Sequence, residues 1–498
     1  MNVTPDIVVY SADQSAALEQ VQEILLNAGV DLNSKTSSQI NENSKSLIAV
    51  IGRAGSGKTM LLTDLVARVK ESGVRLILPD YFKVDKENRR TLSILAPTNK
   101  AASVLRNRGV PATTIHRVLY TPLYDPEYEK IADWLVDGGK KPVVKGFDEK
   151  ALDRANSFYS QNKSIPGAFA SIGLKGSDFI KGWKRRDESL DIGFVDESSM
   201  LDDQQLKDLS EIFNTLVLFG DPAQLPPVGQ SGEMTFDKLP ENKKIFLSRI
   251  HRQSQDNPIL DLAHALADPC IDFSAFENLV EDFSRVDDRI VCAGSVKADL
   301  MSRSPVLVWR NNTRVRLIQA YRLAYGSKED MLLVGEPLIC DGIELPLKHR
   351  KKRIDLEARG LIKGAQVIYL GSGKKNGFSR LHVIGAEDPN VSVASIIKIE
   401  TLDQDEPFIP FAARMGATFL HGAAITIHKA QGSQWESVQV FSPDIYASAM
   451  SGRSEAGQPL WKRLAYVAIT RAQKRLYWVK KNRLEKPTCV LAVADLAV

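Results

Sequence analysis

A chain of 498 residues is too long for one hydrophobic core, so several domains are expected. Its composition is that of an ordinary globular protein, 43% hydrophobic and 25% charged, and a formal net charge of +4 leaves any nucleic-acid track to local basic stretches. No apolar run approaches the roughly 18 residues of a membrane span and no signal-peptide pattern opens the chain; the four scattered cysteines argue against structural zinc and for reduced thiols in a cytoplasmic setting.

Taken in chain order, YSADQSAALEQV (10–21) has the spacing of an amphipathic helix. SLIAVIGRAGSGKT (46–59) predicts a short buried strand, then a glycine-rich turn with Gly52, Gly55, Gly57, Lys58 and Thr59, then a helix with apolar positions at helical spacing. Glycines let backbone N–H groups curl around phosphate oxygens, and a helix N-terminus adds favourable partial charge. Lys58 would reach the β- and γ-phosphates, and the Thr59 hydroxyl would hold Mg²⁺. ILAPTNKAA (94–102) and TTIHRVL (113–119) follow, and residues 117–189 mix aromatics with lysines. GFVDESSMLDDQQL (193–206) sets Asp196 and Glu197 at the end of an apolar run. Asp196 or Ser198 could cap a following helix. With a phosphate loop upstream, the pair instead fits a nucleotide-hydrolysis site, Asp196 serving Mg²⁺ and Glu197 the attacking water. LVLFGDPAQLPPVGQ (216–230) is a second strand ending in Gly220, Asp221 and Gln224. LSRIHRQ (247–253), VLVWRNNTRV (306–315), a β-rich stretch at 331–414 and a basic run HRKKRIDLEARG (349–360) lead to AITIHKAQGSQWESV (424–438) and LAYVAITRAQKRLYWV (464–479).

This series resembles superfamily 1 DNA helicases of the RecD and Dda type, grouped as superfamily 1B, in the same order over nearly the whole chain. The resemblance implies an ATP site using Lys58, Asp196, Glu197 and Gln224, with Arg252 and Arg471 reaching the γ-phosphate from a second lobe and Gln14 reading adenine. An arginine fork there would neutralise charge building on the transferred phosphoryl group. It also implies single-stranded DNA contacts through Thr98, His116, Thr426, His428 and Ser433, with Lys429, Gln431, Trp309, Arg310 and Asn311 as further candidates. Hydroxyl, imidazole and backbone donors of this kind hold a phosphate backbone without reading sequence.

The fold so implied is α/β. Two RecA-like P-loop lobes, each a parallel sheet flanked by helices, take residues 1–116 with 190–240 and 241–330 with 415–498. An insertion at 117–189 would carry a strand-separating pin, with Phe147, Phe158, Tyr159, Phe169 and Trp183 as candidate wedges, and one at 331–414 a DNA-facing SH3-like barrel. The first insertion is longer than in Dda-type proteins, and LPDYFKVDKENRR (78–90) adds a polar excursion. The expected activity is an ATP- and Mg²⁺-dependent monomeric motor moving 5′→3′ on single-stranded DNA and unwinding at single–double-strand junctions. The alternatives are a translocase that strips proteins from DNA, or a motor subunit of a recombination or repair nuclease complex.

Overall fold

A computed structural model describes residues 10–33, 36–37, 45–77, 90–162, 168–169, 171–172, 180–227, 233–248, 257–328, 330–343, 355–402 and 416–491. Two parallel sheets organise it. The first runs in the order Lys244–Leu247, Ser46–Gly52, Phe213–Gly220, Leu190–Val195, Thr91–Ala96, Arg75–Leu76, with Thr113–Thr114 also paired to Thr91–Ala96. Its central strands are apolar on both faces, as a parallel sheet covered by helices requires. One face packs Val50, Phe194 and Phe219 against helices Ala12–Asn27 and Lys58–Glu71, and the other packs Ile51, Val195 and Leu218 with Ile115 and Leu209.

The second sheet runs Ile290–Ala293, Ala472–Val479, Trp435–Phe441, Val306–Val308, Ala424–Thr426, again all parallel. Helix Leu460–Ile469 is buried along its whole length between this sheet and the first lobe.

Two boundaries differ from the sequence reading. Lys244–Leu247 was expected in the second lobe but extends the first sheet beside Ser46–Gly52. A four-residue strand carries too little pattern to declare its sheet. Strands Pro337–Ile343, Gln366–Ser372, Phe378–Val383, Asn390–Lys398 and Ala417–His421 close a five-stranded barrel whose last strand lies beyond residue 414. That strand runs almost directly into Ala424–Thr426 of the second sheet, so chain continuity hid the join. In the first insertion, Tyr120–Tyr124 and Ile180–Arg185 form an antiparallel ribbon, and helices Pro126–Asp137 and Glu149–Asn162 share a small core. All of the polar excursion at 78–90 except Arg90, and residues 349–354 of the basic run, lie outside the described residues. Among those described, no helix is long and apolar enough to cross a membrane.

The barrel is tied to the second lobe by Glu336, which is 1% exposed. Its carboxylate accepts from Ser327 Oγ (2.6 Å), Leu333 N (3.0 Å) and Arg322 Nε (3.2 Å), and lies 3.1 Å from His421 Nε2. Removing one member of such a buried network leaves the others without their counter-charge. Glu336→Ala should therefore cost about 3–5 kcal/mol in denaturant unfolding; wild-type stability would show the network to be energetically idle.

Candidate active site and nucleic-acid face

Strand Ser46–Gly52 runs into a loop in which Gly55 and Gly57 hold φ of 84° and 86°, the left-handed region that glycine enters at little cost. Helix Lys58–Glu71 starts immediately after, with no side-chain cap at Gly57, so its first amides are not consumed by a capping oxygen. Lys58 Nζ donates to Gly52 O (2.5 Å) and Arg53 O (3.0 Å), and stands 4.0 Å from Asp221 Oδ2. Thr59 occupies the second helical position. A Cβ on Gly52 would lie 2.3 Å from Ser56 Oγ and 3.0 Å from Leu247 Cβ, so the loop closes only around glycine. Gln14 is fully buried, and its carboxamide is engaged inside the protein: Nε2 donates to Ser56 O (3.0 Å) and Oε1 accepts from Ser11 N (3.2 Å). The first of these bonds ties it to the phosphate loop at Ser56.

Asp196 and Glu197 leave strand Leu190–Val195 beside this loop. The Asp196 amide donates to Leu95 O (2.9 Å), continuing the parallel ladder with strand Thr91–Ala96 one residue past the strand end. Burial, and then the neighbouring Glu197 charge, raise the Asp196 carboxyl well above the usual carboxylate range. Glu197 is held at φ 53°, ψ 38°, a left-handed conformation costing a non-glycine residue about 1–3 kcal/mol. Its Oε2 accepts Gln224 Nε2 at 2.9 Å, while Gln224 Oε1 is buried with no partner among the described residues. The capping alternative falls away. Helix Asp203–Ile212 is capped by Asp202 through a capping box with Gln205, after a 3₁₀ turn at Ser198–Met200.

The second lobe reaches the same cleft. Tyr466 Oη donates to Asp221 Oδ2 (2.8 Å) and accepts from Ala54 N (2.8 Å); His264 Nε2 lies 3.0 Å from Ala54 O. Arg463 donates to Pro222 O and Gln224 O, and Gln431 Nε2 to Leu225 O (3.0 Å). Arg471 is buried near this junction, its guanidinium donating to Val467 O, Ser433 O and Thr470 Oγ1 of its own lobe. Arg252 lies outside the described residues. Tyr466, Arg463 and His264 had no role in the sequence reading, because only a contact some 200 residues away along the chain gives them one.

The expected nucleic-acid residues come together only in part. Thr98 caps helix Asn99–Asn107, and its Oγ1 lies 3.0 Å from where a Cβ on Gly432 would project, so the two lobes touch there. Thr426 caps Ile427–Ala430, the turn that carries half-buried His428. Capping uses an acceptor lone pair and leaves the hydroxyl proton for a donor bond. Ser433 is 6% exposed and gives its carbonyl to Arg471. His116 lies on the short helix Ile115–Leu119, its ring 4.1 Å edge-on from Trp183 of the insertion ribbon. Arg310 is bound to the fully buried Asp444, which also accepts from Trp309 N, so this string serves as a helix start in the second lobe. Phe147, Tyr159 and Phe169 pack the insertion core, whereas Phe158 (36%) and Trp183 (48%) are exposed.

The phosphate-loop reading predicts that Gly52→Ala weakens nucleotide binding by at least about tenfold, some 1.4 kcal/mol, in a calorimetric titration. Gly294→Ala, where an added Cβ meets nothing within 4 Å, should bind like wild type.

A family model described as AAA domain matches residues 34–287, just over half of the chain, and one described as UvrD-like helicase C-terminal domain matches 421–479. An uncharacterized protein of Acanthamoeba polyphaga mimivirus, R530, is 24% identical over 219 residues, a match that takes in 43% of this chain and only 36% of that protein's length. Among solved structures, the Pif1 helicase of Candida albicans aligns over 96% of both chains at 18% identity and a TM-score of 0.47. Bacteroides Pif1 in complex with ADP-AlF3 and ssDNA aligns over 94% of this chain and 92% of that one, at 14% identity and a TM-score of 0.45. The chain thus belongs to the AAA-domain family, and its second lobe carries a segment that matches the UvrD-like helicase C-terminal domain.

Proposed function

We propose that the protein is an ATP-dependent DNA helicase that hydrolyses ATP between its lobes, moves 5′→3′ along single-stranded DNA as a monomer, and separates duplex strands ahead of it. The observation that carries this reading is the meeting of three elements at one cleft. Lys58 lies 4.0 Å from Asp221, Gln224 is bonded to Glu197, and second-lobe Tyr466 is bonded to both Ala54 and Asp221. In this reading the first lobe runs to about residue 248, and the second from there on encloses the barrel between 331 and 421.

ATP fits the loop, whose glycine cradle a single Cβ would fill. Lys58 places a point charge on the β- and γ-phosphates, and Gly52, Gly55 and Gly57 allow the close backbone approach. Thr59 and Asp196 would hold Mg²⁺, which when bound neutralises phosphate charge as a Lewis acid. Among the described residues no cluster of three or more His, Cys, Asp or Glu could hold a metal, which suits an ion shared with nucleotide phosphates. Glu197 takes the proton of the attacking water, and Gln224 fixes its carboxylate. Arg252 and Arg471 bring guanidinium charge across the cleft as phosphoryl charge develops. Gln14, bonded to Ser56 of the phosphate loop, is assigned to the edge of adenine.

Thr98, His116, Thr426, His428 and Ser433 line the strand path, contacting phosphates without reading bases. Trp183, exposed on the ribbon and set against His116, is the best placed of the aromatics to stack on the last base pair, a contact worth about 1–3 kcal/mol per base.

Tailed duplexes resolved on gels test the whole reading. Wild type should release the strand only with hydrolysable ATP and a 5′ single-stranded tail, and Glu197→Gln should bind ATP and DNA yet leave the duplex intact. Displacement of bound protein without strand release would instead favour a translocase. Arg471→Ala should lower hydrolysis by about 10³-fold while leaving nucleotide-free DNA affinity near wild type. Competition titrations should find binding that weakens steeply with salt and is indifferent to base sequence; marked preference for one oligonucleotide would contradict the strand path.

A further inference from the structure

Helix Leu460–Ile469 presents two polar side chains one turn apart to the first lobe, Arg463 and Tyr466. Both are buried. The Arg463 guanidinium is divided between two loops: Nη1 donates to Pro222 O (2.9 Å) and Gln224 O (2.5 Å), while Nε and Nη2 donate to Glu455 O (2.9 Å) and Ala456 O (3.0 Å) of its own lobe. A planar five-donor fork can do this; a point charge cannot. Ala456 accepts the bond from a left-handed backbone, φ 44°, rare for a residue with a Cβ. Tyr466 holds the other end of the same first-lobe turn, at Asp221, and also the Ala54 amide. Burial and the Asp221 charge keep its phenol well above the ordinary value, so it remains a donor. The turn 221–224 is therefore gripped at both ends from the second lobe, and it carries Gln224, whose side chain bonds Glu197.

We propose that Arg463 and Tyr466 are positioning residues that make ATP hydrolysis conditional on lobe closure. With the lobes together they fix the 221–224 turn, so that Gln224 holds the left-handed Glu197 carboxylate where water must be deprotonated. As the lobes part, the turn loses both grips and Glu197 loses its anchor. Apolar side chains would suffice for a helix that only packed the interface; here the buried donors are spent on backbone and carboxylate oxygens of the catalytic turn. The inference rests on the hydrolysis reading above.

Tyr466→Phe, which removes one hydroxyl and little volume, is the direct test, with Arg463→Lys as a second variant. Steady-state ATPase with saturating single-stranded DNA should show kcat reduced about tenfold for Tyr466→Phe, the rate equivalent of one lost hydrogen bond. KM for ATP should stay at the wild-type value, a split that a merely structural role would not produce, while the melting temperature falls only modestly because Asp221 and the Ala54 amide lose one partner each. Arg463→Lys should lower kcat in the same manner. A folded Tyr466→Phe with wild-type kcat overturns the proposal, as does one that raises KM alone. Glu197→Gln assayed in parallel separates the two claims. Rapid turnover by that variant would sink the hydrolysis reading, whereas slow turnover beside a wild-type Tyr466→Phe sinks only the positioning role.

Discussion

Three carboxylates, Asp196, Glu197 and Asp221, follow the ends of two neighbouring parallel strands of the first sheet, and two of them, Asp196 and Asp221, are buried, where a charge is expensive. Asp196 and Asp221 are 8% and 1% exposed, and Glu197 is pinned in a strained backbone next to the first of them. The described cation nearest Asp221 is Lys58, and at 4.0 Å it is not a tight pair, its ammonium being donated to loop carbonyls. Hydrogen bonds do most of the stabilising instead: Ala223 N and Tyr466 Oη on Asp221, Gln224 Nε2 on Glu197. Two of these three donors belong to the first lobe and the third to the second, so the electrostatic state of the site depends on whether the lobes are together.

That dependence shapes the interface. Ala54 is bonded at both its amide and its carbonyl by second-lobe side chains, and Gln431 and Arg463 take carbonyls of the 222–225 turn. Farther out, Arg117 of the first lobe pairs with Glu357 beside the barrel. Polar contacts of this type fix one arrangement when made and exchange readily for water when broken, which suits a hinge more than a permanent join. The same helix, Leu460–Ile469, also contributes Leu464 and Val467 to the second-lobe core, so one rigid element joins that core to the 221–224 turn.

Much of this site can be read from local strings. Gly52 to Thr59, Asp196 with Glu197, and Asp221 with Gln224 each sit at a strand end, where a few consecutive residues dictate both conformation and chemistry. The parallel sheets follow from the near-continuous apolar runs that feed them, and the barrel from short strands between glycine turns. What the sequence could not convey depends on distant partners. Tyr466 lies inside a recognisable string, yet its hydroxyl acquires meaning only beside Ala54, more than 400 residues earlier. Nor do the residues around Gln14 announce that the capping box and Ser56 engage both ends of its carboxamide. Arg310 is a candidate DNA contact in the sequence, and only the fold shows that buried Asp444 binds it. The edge strand Lys244–Leu247 and the barrel's last strand were misassigned for a related cause, since short segments join whichever sheet their neighbours offer.

The central claim is that two lobes must close over ATP to assemble the hydrolytic groups, and that a bound single strand favours closure. Steady-state phosphate release with and without single-stranded DNA tests it most directly. Slow turnover alone and strong stimulation by an oligonucleotide of any sequence is the predicted result. Turnover that is equally fast without DNA, or absent in both conditions, would contradict it.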